Sequence, residues 1–104
     1  MICFESKMTK EQEQLARFAK ALGHPVRIAI VQMLAKKVCC YHSNMSGMLP
    51  VAKSTLSQHL KELKEAGLIV REAVTLPTIK YCIDKENWEL AKGLFDGLFI
   101  EITN

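Results

Sequence analysis

Residues 49–69, LPVAKSTLSQHLKELKEAGLI, decide the fold. Read as a helix from about Lys53 to Ala66, they place Leu56, Leu60 and Leu63 at i, i+4 and i+7, a single apolar stripe turned toward a core. At about 100° per residue, Ser54, Ser57, Gln58 and Lys61 fall roughly opposite that stripe. This outer strip carries hydroxyls, an amide and a cation, the groups that reach base edges and phosphates when a helix enters a DNA major groove. Its N-terminus adds free N–H groups suited to phosphate. Pro50 ends the preceding element, and Gly67 stands where a helix stops in a left-handed turn. The competing reading of this stretch alone is a solvated surface helix.

Charge placement favours the first reading. Between Glu13 and Glu62 the chain has no Asp or Glu, yet it carries Arg17, Lys20, Arg27, Lys36, Lys37, Lys53 and Lys61. From Asp84 onward the balance reverses, with Asp84, Glu86, Glu89, Asp96 and Glu101 against Lys85 and Lys92. A net charge of only +3 therefore conceals a basic region that attracts phosphate and an acidic one that should face away from it.

A chain of 104 residues, 49% hydrophobic and 24% charged, is expected to form one globular domain with a modest core, near the size at which a second interface helps. No segment approaches the ~20 apolar residues of a membrane span, and the first residues do not read as a secretory signal. A cytoplasmic location follows as the expectation. The four cysteines, two of them adjacent at Cys39 and Cys40, do not form the pattern of a small secreted disulfide scaffold, so reduced thiols are expected.

Upstream, Thr9 and Gln12 make a capping box that predicts a first helix to about Leu22, with Leu15, Phe18, Ala19 and Leu22 on one face. His24-Pro25 starts a second helix with Pro at its first position. Its apolar residues, from Val26 to Leu34, lie nearly all round and predict a buried central helix. Val38-Cys39-Cys40-Tyr41 is β-compatible. Met45, Met48 and Leu49 suggest a brief helix from about Ser43, with both methionines in the core. This brief helix, the turn at Pro50-Val51-Ala52 and the long helix form a helix-turn-helix pattern.

Downstream, residues 68–74 and 78–83 read as strands separated by Thr75-Leu76-Pro77. Ile79, Tyr81 and Ile83 alternate with Lys80 and Cys82, as in a half-buried strand. A hairpin placed directly after such a helix is a wing, and Arg71 and Lys80 are the cations it offers to a phosphate backbone. Asp84 caps a final helix whose Trp88, Ala91, Leu94, Phe95, Leu98, Phe99 and Ile102 make a wide apolar series. Part of that series is expected to pair with a second copy, together with the first helix.

The segments ALGHPVRIAIVQML, STLSQHLKELKEAGLI and YCIDKENW resemble the ArsR/SmtB bacterial transcriptional regulators, over about Leu15 to Phe95. The resemblance implies a mainly α winged helix-turn-helix of about five helices and a two-stranded antiparallel wing. It also implies a homodimeric repressor that leaves a palindromic double-stranded operator on binding a metal, a metalloid or another chemical signal. Members sensing arsenic or soft metals often carry Cys-x-Cys-Asp-Leu-Cys before the recognition helix. Here the place reads Cys40-Tyr41-His42-Ser43-Asn44-Met45-Ser46. The final helix contains no His, unlike the subset that binds zinc-type metals there.

The candidate DNA contacts are thus Lys53, Ser54, Thr55, Ser57, Gln58, His59, Lys61, Arg71 and Lys80. His59 lies only about 60° from the core stripe and is expected at the flank of the helix. Candidate interface residues are Leu15, Phe18, Trp88, Phe95, Leu98 and Phe99. Cys39, Cys40 and His42 are the candidate metal ligands. One thiolate and one imidazole suit a borderline ion such as Zn²⁺ better than an arsenite site. A third ligand would come from the other cysteine or from Cys3, with Cys82 expected to lie too far away. The competing readings are small buried apolar cysteines and thiol oxidation. No cofactor is required outright. The alternative function is a winged-helix protein-interaction or RNA-binding module without an inducer. An enzyme is not expected, because the three histidines sit in unrelated elements and no phosphate loop or nucleophile motif occurs.

Overall fold

The computed structural model describes residues 8–75 and 78–103, with the side chains of 73–78 outside the description. Helix α1 (Lys10–Ala21) opens on the expected box: Gln12 N–H donates to Thr9 Oγ1 at 3.0 Å, and Thr9 N–H to Gln12 Oε1 at 2.8 Å. Helix α2 (Pro25–Lys37) is capped by His24, whose Nδ1 accepts from Val26 N–H at 3.1 Å. Its Ile30, Val31 and Leu34 are buried, but Ile28 is 38% exposed, so α2 is covered on one side and not all round as its composition suggested.

Strand β1 (Cys39–Tyr41) leads straight into α3 (His42–Met48). Met45 is fully buried under α3, whereas Met48 is 58% exposed; the expected methionine pair is a single core residue. Helix α4 (Lys53–Glu65) buries Leu56, Leu60 and Leu63 completely. Each such leucine contributes about 1.5–3 kcal/mol of burial, and truncating one to Ala is worth about 2–5 kcal/mol. Gly67 ends the helix with φ of 91°, the left-handed region that the sequence required. A Cβ there would also meet the Asn87 side chain at 2.8 Å, and that amide donates to the Gly67 carbonyl at 2.9 Å.

Strands β2 (Ile69–Thr75) and β3 (Thr78–Ile83) form the hairpin; the proposed turn residues Leu76-Pro77 lie outside the described residues. The sheet has three strands and not two, in the order β1-β3-β2, because β1 pairs antiparallel with β3. Cys39 stands opposite Cys82, and the two are joined in a disulfide. This corrects two expectations at once: Cys82 is within bonding reach of Cys39, and these two thiols are not free. Cys40 is the free, buried cysteine among the described residues.

Helix α5 (Lys85–Leu98) is capped by Asp84, which accepts from Asn87 N–H at 3.0 Å. It packs against α1 and ends before Ile102, which lies beyond the helix at 90% exposure. The core unites Phe18, Ile30, Leu34, Met45, the α4 leucines, Leu68 and Ile69. Among the described residues no helix is long and apolar enough to cross a membrane.

Candidate nucleic-acid interface

The N-cap of α4 is Ala52, which offers no capping side chain, so the first-turn N–H groups remain open to solvent or an anion. Lys53, Ser54, Thr55, Ser57, Gln58 and Lys61 are all exposed, while the leucine stripe anchors the opposite side. The structure therefore presents these six as one outward surface on a helix held by its core contacts.

His59 is the exception. It is only 7% exposed and turned toward α2, where its Nδ1 accepts from Arg27 Nε at 3.0 Å and its ring lies 4.3 Å from that of His24. Burial, then the neighbouring His24 and Arg27 charges, lower its pKa, with Glu62 opposing. The structure thus packs His59 at the flank of α4 against α2, with its Nδ1 occupied inside the molecule.

The hairpin cations also separate. Arg71 pairs with Tyr81 across the sheet and Glu72 with Lys80, and neighbouring residues alternate between faces. Arg71 thus shares the α4-facing side with Tyr81, whereas Lys80 points the other way and is held by Glu72 at 3.4 Å. The two cations that the hairpin was expected to offer to phosphate therefore lie on opposite faces of the sheet. Between α3, α4 and the hairpin lies an open cleft of about 610 Å³, whose wall includes Ser57, Lys61 and Arg71. Sequence reading missed three of its residues: His42 as a partner of Ser57, with Nε2 3.2 Å from Oγ, and the exposed Ser43 and Lys64. For Lys64 the signal was its i+7 spacing from Ser57.

The expected metal ligands do not converge. Cys39 is bonded to Cys82, Cys40 is buried in the core and His42 faces α4. Among the described residues no three His, Cys, Asp or Glu side chains gather where they could hold an ion, and Cys3 lies outside them.

Of the expected interface residues, Phe18 is fully buried within its own chain, so no partner can reach it. Leu15, Trp88 and Phe95 are half-buried, and Leu98 and Phe99 are exposed at 53% and 76%.

A helix-turn-helix whose second helix turns a polar face outward, followed by a hairpin against that helix, defines a winged helix-turn-helix protein. A helix-turn-helix domain family matches residues 22–72. The HTH-type transcriptional repressor SmtB of Mycobacterium tuberculosis is 45% identical over 53 residues, 51% of this chain and 38% of the repressor. The chain thus matches well under half of that relative's length. An uncharacterized HTH-type transcriptional regulator of Methanocaldococcus jannaschii, MJ1325, is 28% identical over 80% of this chain and 93% of its own. A crystal structure described as a possible transcriptional regulator for arsenical resistance superposes with a TM-score of 0.72 at 27% identity, covering 82% of this chain and 85% of the other. HlyU from Vibrio cholerae, at 24% identity and a TM-score of 0.72, shares the fold over 90% of this chain and all of its own. The chain is a winged helix-turn-helix protein of the ArsR/SmtB type. SmtB, MJ1325 and the possible regulator for arsenical resistance are transcriptional regulators by description, and not enzymes.

Proposed function

We propose that this chain is a homodimeric transcriptional repressor that binds a palindromic operator through α4. The observation that carries the reading is the exposed strip from Lys53 to Lys61, free of acids and backed by three fully buried leucines. A rigid polar helix face of that kind fits the major groove, where Gln58 and Ser57 meet base edges and Lys53 and Lys61 meet phosphates. Ser54 and Thr55 lie at the groove entrance. In a dimer joined through α1 and α5, by Leu15, Trp88, Phe95, Leu98 and Phe99, the two α4 helices would be about 34 Å apart and contact half-sites one helical turn apart. The acids of α5 would then stand away from the DNA.

Fluorescence anisotropy with duplexes from the region upstream of its own gene tests the proposal. Specific binding is expected to exceed binding to scrambled duplex and to single-stranded RNA by about 10³-fold or more. Equal affinity for all three would refute it. Release by a chemical signal completes the proposal; similarity to a possible regulator for arsenical resistance makes a metalloid one candidate, and the ArsR/SmtB resemblance adds a metal. The Cys39–Cys82 disulfide favours thiol–disulfide chemistry, because a sulfur held in that bond is not available as a thiolate ligand. Operator affinity measured with and without reductant, and separately with Zn²⁺, Cd²⁺ or arsenite, distinguishes these signals.

A further inference from the structure

The cleft beside α4 contains more chemistry than base reading uses. Ser57, Lys61 and Lys64 follow one another at i, i+4 and i+7, a stripe displaced by about 100° from the leucines and turned toward the hairpin. Arg71 closes the far side on β2, brought there by its cross-strand pairing with Tyr81. At the near end the His42 ring, set at the start of α3, is tied to Ser57 at 3.2 Å. Three cations thus line the cleft against one carboxylate, Glu65, and neither lysine of the stripe nor Arg71 is held in an ion pair among the described residues. Like charges gathered in one concave wall repel each other unless an anion joins them.

We propose that this cleft seats a phosphate oxyanion, with Lys61, Lys64 and Arg71 around it and the His42–Ser57 pair at its edge. The inference rests on the DNA-binding reading and assigns the oxyanion to the DNA backbone bordering the groove that α4 enters. Ser57 and Lys61 belong to both surfaces, so a strand following the groove wall passes from one to the other. Lys64 and His42 become backbone contacts, fixing the register of α4 without reading sequence. A free anion of the same chemistry would compete for the place.

The test uses the full chain with Lys64→Gln and Arg71→Gln, and the exposed Lys85→Gln, in the acidic region at the start of α5, as the control. In salt titrations of duplex binding, each cleft variant is expected to reduce the slope of log affinity against log salt by about 1, equally on operator and random DNA, with the control unchanged. A wild-type chain that binds DNA with a slope unaltered by Lys64→Gln overturns the seat. The second arm titrates inorganic phosphate without DNA and follows the His42 ring and Ser57 amide by NMR. If wild type binds no duplex, the DNA reading fails and this arm alone decides. A saturable shift abolished by Lys64→Gln then supports an oxyanion site for a free anion, and no shift overturns it.

Discussion

Replacing Arg27 with Met keeps the aliphatic stem but removes the donor that reaches His59 Nδ1 at 3.0 Å. His59 is 7% exposed, so its nitrogen would remain without a partner and without easy access to water. An orphaned buried acceptor costs about 1–3 kcal/mol, and this is the expected loss of stability. His59→Leu leaves the opposite orphan, but Arg27 also lies 3.4 Å from the Ala21 carbonyl and is only half-buried, so that loss should fall at the lower end. The double variant leaves neither group unsatisfied. It should therefore be more stable than the two losses predict, by a coupling of about 1–2 kcal/mol. Urea unfolding provides the measurement, valid where the midpoint moves and the slope does not. Losses that add to within about 0.5 kcal/mol would refute the idea that α4 is tied to α2 through this bond. The same site has a pH signature. His59 has a pKa below the ordinary value of 6.5, so the unfolded chain binds the extra proton first. The contribution is complete above that value and is lost as pH falls below it toward the folded-state pKa. His59→Leu should flatten the stability curve between neutral and mildly acidic pH.

Reduction of the disulfide, whose half-cystines are separated by 43 residues, should lower stability by about 2–4 kcal/mol in the chain-entropy account; an unfolding midpoint indifferent to reductant would refute the bond. The free Cys40 should react with alkylating agents only as fast as the protein opens. Gln58→Ala should cost about 1–3 kcal/mol on operator and little on random duplex, whereas Lys53→Ala should weaken both alike; equal losses for Gln58→Ala would remove it from base reading. Leu98→Ser with Phe99→Ser should shift sedimentation toward monomer and weaken self-association by at least about tenfold, since each buried side chain is worth about 1.5–3 kcal/mol. An unchanged dimer would place the interface elsewhere.

Local signals were the legible ones. The Thr9–Gln12 box, the His24-Pro25 start, the Gly67 stop and the leucine stripe all depend on residues a few positions apart, and each occurs where the sequence reading put it. What could not be read depends on partners distant in sequence. Strand β1 needs β3, about forty residues later, and nothing in a short β-compatible run names its partner, so the third strand and the disulfide were missed. His59 needs Arg27, 32 residues earlier, to make its burial tolerable. Phe18 shows a different limit. Helical spacing identifies an apolar face but not whether its own chain or a second copy covers it. The candidate site was similarly divided: the α4 strip was legible, whereas the cleft that adds Lys64 and His42 exists only once three elements meet.

The disulfide also has a mechanical meaning. It closes a covalent ring that contains α3, α4 and β2, while α1, α2 and α5 are arms outside it. Tension applied at the chain ends passes through the sulfur–sulfur bond and bypasses the enclosed backbone. The 43-residue separation corresponds to roughly 140–155 Å of extended chain that stays out of the stretched length while the bond holds. A pulled molecule should gain that hidden length on reduction, and until then the helix-turn-helix is shielded from forces transmitted along the chain by whatever grips the arms.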